Sequence, residues 1–322
     1  MKTLNSIIKK LNCSYFFLIT MSIIALTSCK FDKKTAEIEQ VEPEKDSIIE
    51  IVTELMDFQT LDTIPSGWNT FKYLNKSTET HFFLLDKYPE GKTIDDYRKE
   101  VIPPFQTGMD FINEGKTDEG YAEFNKLPSW FFNVIFSGGS GLVSPKNSSL
   151  TTVKLEPGYY LMECYVKMEN GKFHATMGME KSIIVTNEDS GYLPPKATVD
   201  ITISSTEGIN YEGAIEKGEQ IFSVHFKDQI AHEHFLGHDV NLVRLNDMAD
   251  LEALEKWMDW SDPKGLIMPA PEGVIFMGGV NDLPAGSTGY FTAVFEPGTY
   301  ALIAEVPKSM SKKMLKTFEV SD

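Results

Sequence analysis

The side chains best able to bind a metal or move an electron are the thiols, imidazoles and thioethers. The chain of 322 residues holds three cysteines, six histidines and fourteen methionines. Cys13 and Cys29 lie in or at the end of an N-terminal apolar leader, so Cys164 is the one free thiol of the mature chain. A single thiol excludes an intrachain disulfide, and hydrophobic cores must then carry the stability. Four of the six histidines fall between positions 225 and 238: His225, His232, His234 and His238. His232 and His234 would share a face of an extended segment. With His238 they make an imidazole cluster of the kind that takes Cu(II), Zn or Ni. A polar loop with incidental histidines is the alternative. The thioethers of Met162, Met168, Met177, Met179, Met310 and Met314 suit Cu(I), and they equally fill cores.

Catalytic signatures do not appear. In FSGGSGL, Leu142 stands where a nucleophile elbow around Ser140 needs glycine. No Gly-Lys-Ser/Thr follows those glycines, and HEHFLGH lacks the spacing of a zinc-protease helix. The carboxylates form no acid–base pair visible in the sequence and are expected to be solvated. The resulting expectation is a chain without enzymatic activity: an exported binding or interaction protein that meets an envelope protein or ligand.

The elements that must position these groups are written twice. LEPGYYLMECYV (155–166) and FEPGTYALIAEV (295–306) each carry Glu-Pro-Gly, then a tyrosine two residues past the glycine, then an alternating strand. Gly138 and Gly278 precede Gly158 and Gly298 by the same 20 residues. MEKSIIV from Met179 and MLKTFEV from Met314 close the two units. In the opening strands the offset is 151 residues, matching Gly67 with Gly218 and Phe71 with Phe222; from Gly278 onward it is 140. His81 leads one strand of the first unit as His238 leads its counterpart. A common register with length changes between strands marks a duplicated β-domain.

In the first unit, IIEIVTELMDF and IPSGWNTFKYLN read as strands joined around Ser66-Gly67. THFFLL reads as a short strand led by His81. Residues 91–127 are helical in character, with Thr93 as cap and Pro103-Pro104 as a break. Strands follow at WFFNVIF, LTTVKL, YYLMECYV and KSIIVT. Tyr160, Met162, Cys164 and Val166 share one face; the second unit has Tyr300, Leu302, Ala304 and Val306 there. Ala304 at the cysteine position keeps open a purely structural role for Cys164 as a small buried apolar group. The second unit carries the shorter helical segment DLEALEKWMDW. The fold expected is all-β, two tandem Greek-key sandwiches with a small helical insertion in each.

Lys2, Lys9 and Lys10 precede the apolar run YFFLITMSIIAL, which ends in Leu26-Thr27-Ser28-Cys29. This is the pattern of an export signal. Its last four residues resemble the lipobox of bacterial lipoproteins, which implies cleavage before Cys29 and a lipid on that thiol. The expected organisation is a signal peptide at 1–28, a charged tether at 29–46, a first domain at 47–187, a linker at 188–196 and a second domain at 197–322. Lys30 after the lipidated cysteine points to the outer rather than the inner membrane of a Gram-negative envelope. Loss of three lysines moves the net charge from −17 to −20. That acidity argues against nucleic acid as a partner and leaves the lipid anchor as the membrane contact.

The repeated Pro-Gly-x-Tyr turn resembles that of the cupredoxins, the fold of plastocyanin and azurin. In those proteins the copper-binding cysteine lies six residues past the turn glycine, and Gly158 plus six is Cys164. Their loop histidine and methionine are spaced His-x4-Met, as His174 and Met179 are in HATMGM. Their first histidine opens a central strand behind an Asn-containing loop, as His81 does behind Asn75. The resemblance implies a type 1 copper site from His81, Cys164, His174 and Met179, and one-electron transfer as the alternative function. One departure bears on it. His174 lies ten positions past Cys164, where the small copper proteins have a few, and the nine residues between include the hairpin signal Asn170-Gly171. The second unit lacks both the thiol and the loop histidine.

Overall fold

Strand pairing in the computed structural model, which describes residues 48–233 and 237–322, follows the two-unit pattern. The first unit holds β1 (Ile48–Thr53), β2 (Thr63–Asn75), β3 (Leu84–Lys87), β4 (Ile135–Gly139), β5 (Ser148–Leu155), β6 (Gly158–Glu163) and β7 (Glu180–Asp189). The second holds β8 (Val199–Ser204), β9 (Gly208–Glu212), β10 (Gly218–Phe226), β11 (Val240–Leu245), β12 (Val274–Val280), β13 (Thr288–Phe295), β14 (Gly298–Ile303) and β15 (Leu315–Val320). The fold is all-β with short helical insertions, one sheet of each unit facing the other across a core. The expected leader and tether, with Cys29, lie outside the described residues.

In the first unit one sheet runs β4-β3-β6-β7, and the second carries β1, β2 and β5. β2 belongs to both. Thr63 and Ile64 pair with β7, whereas Gly67 to Leu74 pair with β5. Gly67, at φ +84°, is where the strand changes sheets. Ser66-Gly67 is therefore a bend inside one long strand, not a joint between two. The second unit repeats the plan with β12-β11-β14-β15 against β9-β8-β10-β13. Antiparallel pairing of Tyr290, Phe291 and Thr292 in β13 with Thr152, Thr151 and Leu150 in β5 runs the two units into one sheet. The cores merge as well. The cluster holding Phe71, Phe83, Cys164 and Met179 also takes Val243, Trp257, Phe276 and Ile303 from the second unit.

Each repeated turn has the same chemistry. The Tyr160 hydroxyl donates to the carbonyl of Glu156 at 2.8 Å, and Tyr300 does so to Glu296 at 2.8 Å. The tyrosine thus ties its strand back over the Pro-Gly corner and satisfies its own buried hydroxyl. The paired glycines are equally specific. A Cβ on Gly139 would lie 1.9 Å from the Phe83 carbonyl oxygen, and one on Gly279 would lie 1.9 Å from that of Val240. Neighbouring backbone leaves no room there for any side chain. Gly139→Ala is expected to cost about 3 kcal/mol or more, read as a lowered urea midpoint; a loss under about 1 kcal/mol would show that the strand yields.

Several local expectations are corrected. Trp130 to Asn133 belong to a 3-10 turn at Ser129–Asn133, and the following strand starts only at Ile135. Pro103 and Pro104 do not break the helical segment. They occupy the first turn of the helix Ile102–Asn113, where no N–H is required, directly after a π turn at Tyr97–Val101. The strand expected to begin at His81 starts at Leu84, with His81 in an isolated bridge to Val143. β6 ends at Glu163, so Cys164 sits just past it. β7 extends to Asp189, into the stretch read as linker.

Candidate metal centre

Three segments converge on one point, each fixed by backbone hydrogen bonds. His81 exchanges two with Val143: its N–H donates at 3.2 Å and its carbonyl accepts at 2.7 Å. The loop before it is held by Asn75. The Asn75 amide donates to the carbonyls of Glu79 and Val143, both at 2.8 Å, and its oxygen accepts from the Ser77 N–H and hydroxyl. The Cys164 N–H donates to the Met179 carbonyl at 3.3 Å, and the Met179 N–H donates to the His174 carbonyl at 3.1 Å. Thiol, imidazole and thioether are thereby locked to one another through the main chain.

The nine-residue excursion between Cys164 and His174 closes on itself. Lys167 bridges to Phe173, the Met168 N–H donates to Lys172, and the Gly171 N–H donates back to Met168. Gly171 takes φ +78°, as such a turn requires. The His174 N–H then reaches the Val166 carbonyl at 2.8 Å. The hairpin adds residues without displacing the histidine.

The side chains meet in a dry setting. His81, Cys164, His174 and Met179 are all 1 % exposed or less. Cys164 Sγ lies 3.9 Å from His81 Nδ1 and 3.7 Å from His174 Nδ1. These three are the only His/Cys/Asp/Glu cluster of ligand spacing among the described residues. A metal–sulfur bond of about 2.3 Å and a metal–nitrogen bond of about 2.0 Å at a trigonal angle put sulfur and nitrogen about 3.7 Å apart. The observed separations match that triangle. They are long for a hydrogen bond from a thiol.

Electrostatics prepare the same atoms. Burial pulls His81 down to about 4 and His174 to about 3, the latter helped by the neighbouring His81, so both imidazoles are neutral at pH 7. Burial pushes the Cys164 thiol up to about 12, opposed by the amide N–H groups of Phe82 and Val166 that point at the sulfur. A soft metal taking this site would displace the thiol proton. Beyond the ring atoms that face the sulfur, His81 Nε2 has no hydrogen-bond partner. His174 Nε2 lies 3.1 Å from Glu79 Oε2 without hydrogen-bond alignment. Glu79 is the carboxylate placed to orient that ring.

The second unit keeps the scaffold and only part of the donor set. The Ala304 N–H donates to Met314 at 3.0 Å and the Met314 N–H to Ser309 at 2.7 Å, repeating the Cys164–Met179–His174 ties. Ser309 therefore occupies the place of His174, a correspondence hidden in the sequence by the missing hairpin. His238 keeps the place of His81. Its Nδ1 lies 2.9 Å from His232 Nε2, so the two imidazoles share a hydrogen bond. His234 lies outside the described residues. His225 stands apart, its Nδ1 3.1 Å from Thr288 Oγ1.

The expectation of solvated carboxylates is corrected in this region. Asp86, Glu163, Asp239, Asp282 and Glu305 are withdrawn from water, and burial raises the pKa of each. Tyr97 of the helical insertion covers Glu163, and Tyr165 of the first unit reaches across to Glu305 of the second. A lone strand pattern carries no sign of that cover.

No protein-family model and no curated protein sequence matches the chain. Solved structures do. A reduced auracyanin from Roseiflexus castenholzii is 23% identical over 44% of this chain and 97% of its own, at a TM-score of 0.27. A multicopper oxidase is 11% identical over 85% of this chain and 88% of its own, at 0.20. A copper-containing nitrite reductase from Thermus scotoductus is 11% identical over 85% of this chain and 61% of its own, at 0.21. At these scores the assignment of the fold rests on the strand pairing itself. The expectation of a chain without enzymatic activity is corrected: the structures matched include an oxidase and a reductase.

Proposed function

We propose that the chain is a copper protein with a single type 1-like centre in its first unit, built from His81, Cys164 and His174 with Met179 as a weak fourth ligand. The observation that carries the reading is the triangle of one thiol sulfur and two Nδ1 atoms at 3.9 and 3.7 Å, in a site closed to water. One thiolate, two imidazoles and a thioether are the donor set that such a centre needs. Copper bound there would supply a one-electron couple.

The protein's own part is positional. Val143, Asn75 and the Met179 main chain hold the donors on stiff backbone, so a change of charge at the site would call for little rearrangement. The Phe82 and Val166 amides stabilise negative charge on sulfur. Electron delivery and copper handling both use this arrangement. With the leader and Cys29, we place the activity on a lipid-tethered protein of the cell envelope.

The test is addition of Cu(II) to the purified metal-free protein, followed in the visible. One equivalent per chain is expected to produce an intense thiolate-to-copper absorption, and further copper is expected to add none to that band, because Ala304 leaves the second unit without a thiolate. A protein that stays colourless overturns the proposal.

A further inference from the structure

On the side of Glu163 and Tyr165, the residues flanking Cys164, lies a cavity of about 60 Å³, beside a groove of about 610 Å³. Phe105, Phe173 and Trp260 line both. In the smaller space two carboxyl groups, Glu163 and Asp282, stand among largely apolar and aromatic walls. Glu163 is occupied, accepting from the Tyr97 hydroxyl at 2.5 Å. Asp282 is different. It is only 6 % exposed, it faces the cavity, and no hydrogen bond reaches its carboxyl group among the described residues. A buried carboxyl without a donor is costly unless something else supplies one. Burial, then Asp239, holds it up to about 8.

We propose that this cavity and groove bind an organic ammonium compound, its charged head against Asp282 and its apolar body along the aromatic groove. Size and chemistry agree. A space of about 60 Å³ is on the scale of two waters and admits an ammonium head, not a ring. The groove is in the ordinary range for a small-molecule body. Aromatic faces attract cations, and a cation is the partner that a desolvated carboxylate pairs with best. Lys167, on the groove wall, already donates to the Pro263 carbonyl at 3.0 Å and leaves the head site to Asp282. The net charge of −17 favours the approach of a cation. The site does not depend on the copper reading, although Phe173 and Tyr165 on its walls adjoin His174 and Cys164 in the chain.

Calorimetric titration of the metal-free protein tests it, with phenethylamine and its neutral analogue 2-phenylethanol as probes. Phenethylamine is expected to bind at least tenfold more tightly. Asp282→Asn is expected to reduce that preference to twofold or less, and Trp260→Leu to weaken both probes while keeping the preference. Equal affinities, no heat from either probe, or a preference intact in Asp282→Asn overturns the proposal. The titration contains no copper, so its outcome is separate from that of the metal test.

Discussion

Replacing Cys164 with serine is expected to abolish the visible copper absorption and to cut Cu(II) affinity by more than the roughly 100-fold that loss of an outer partner costs. Serine keeps the shape of the side chain and removes the soft, polarisable donor on which both effects depend. Cys164→Ala controls for packing. The second unit already holds alanine at this place, in Ala304, on a backbone with the same hydrogen bonds. The fold is therefore expected to survive, with a loss of about 1 kcal/mol for the missing buried atom. The two roles open to Cys164 separate cleanly here. If the sulfur only fills the core, both variants shift the denaturation midpoint and leave copper binding as it was. If it is a ligand, the absorption goes in both. A band retained in either variant would sink the metal centre.

The second large effect concerns acid and base. The metal-free protein is expected to lose stability as the pH rises from about 6.5 to 8. Burial holds Asp282 up to about 8 and Asp239 up to about 7, and it raises Glu305 and Asp86 well above the ordinary carboxyl range. A carboxyl whose folded value lies above its unfolded one contributes stability in acid and loses it as the pH climbs toward the folded value. For Asp282 alone the loss across this window is about 2 kcal/mol, at about 1.4 kcal/mol per pH unit. The histidines act the other way. His81 and His174 are pulled down to about 4 and 3, so their contribution is present above about 6.5 and is lost on acidification. It has therefore levelled off by about pH 6.5, whereas the loss from the carboxyls, which begins above their ordinary values, continues to about pH 8. Lys167, lowered by burial to about 7, adds stability above that value and offsets one carboxyl. Urea midpoints at pH 6.5 and 8 measure the balance, and Asp282→Asn should flatten it. A midpoint that rises with pH would contradict the argument.

Much of the centre is legible in residue order. Gly158 to Cys164 and His174 to Met179 are short-range spacings on rigid backbone, and such spacings survive folding. The nine-residue excursion is legible only in part: Asn170-Gly171 marks the hairpin, but only the Lys167–Phe173 bridge shows that it returns His174 to the sulfur. Ser309 could not be paired with His174 by counting, since the second unit lacks that hairpin; the ties to Met314 make the match. The buried carboxyls are illegible for another reason. Glu163 stands at a position that strand alternation assigns to solvent and Asp282 in a loop past a strand end, and side chains from distant segments cover both. The 3-10 turn at Trp130 reads as strand because its aromatic run has no period of its own.

The rungs between Thr152 and Tyr290 reach beyond architecture. Where two sheets share a seam, severing the chain near position 190 would bare a row of amide and carbonyl groups on each fragment. Such a ragged margin seeks any extended strand it can find. Fragments made separately should cling to their own copies, or rejoin each other when mixed, and the intact polypeptide should melt in a single step instead of half by half.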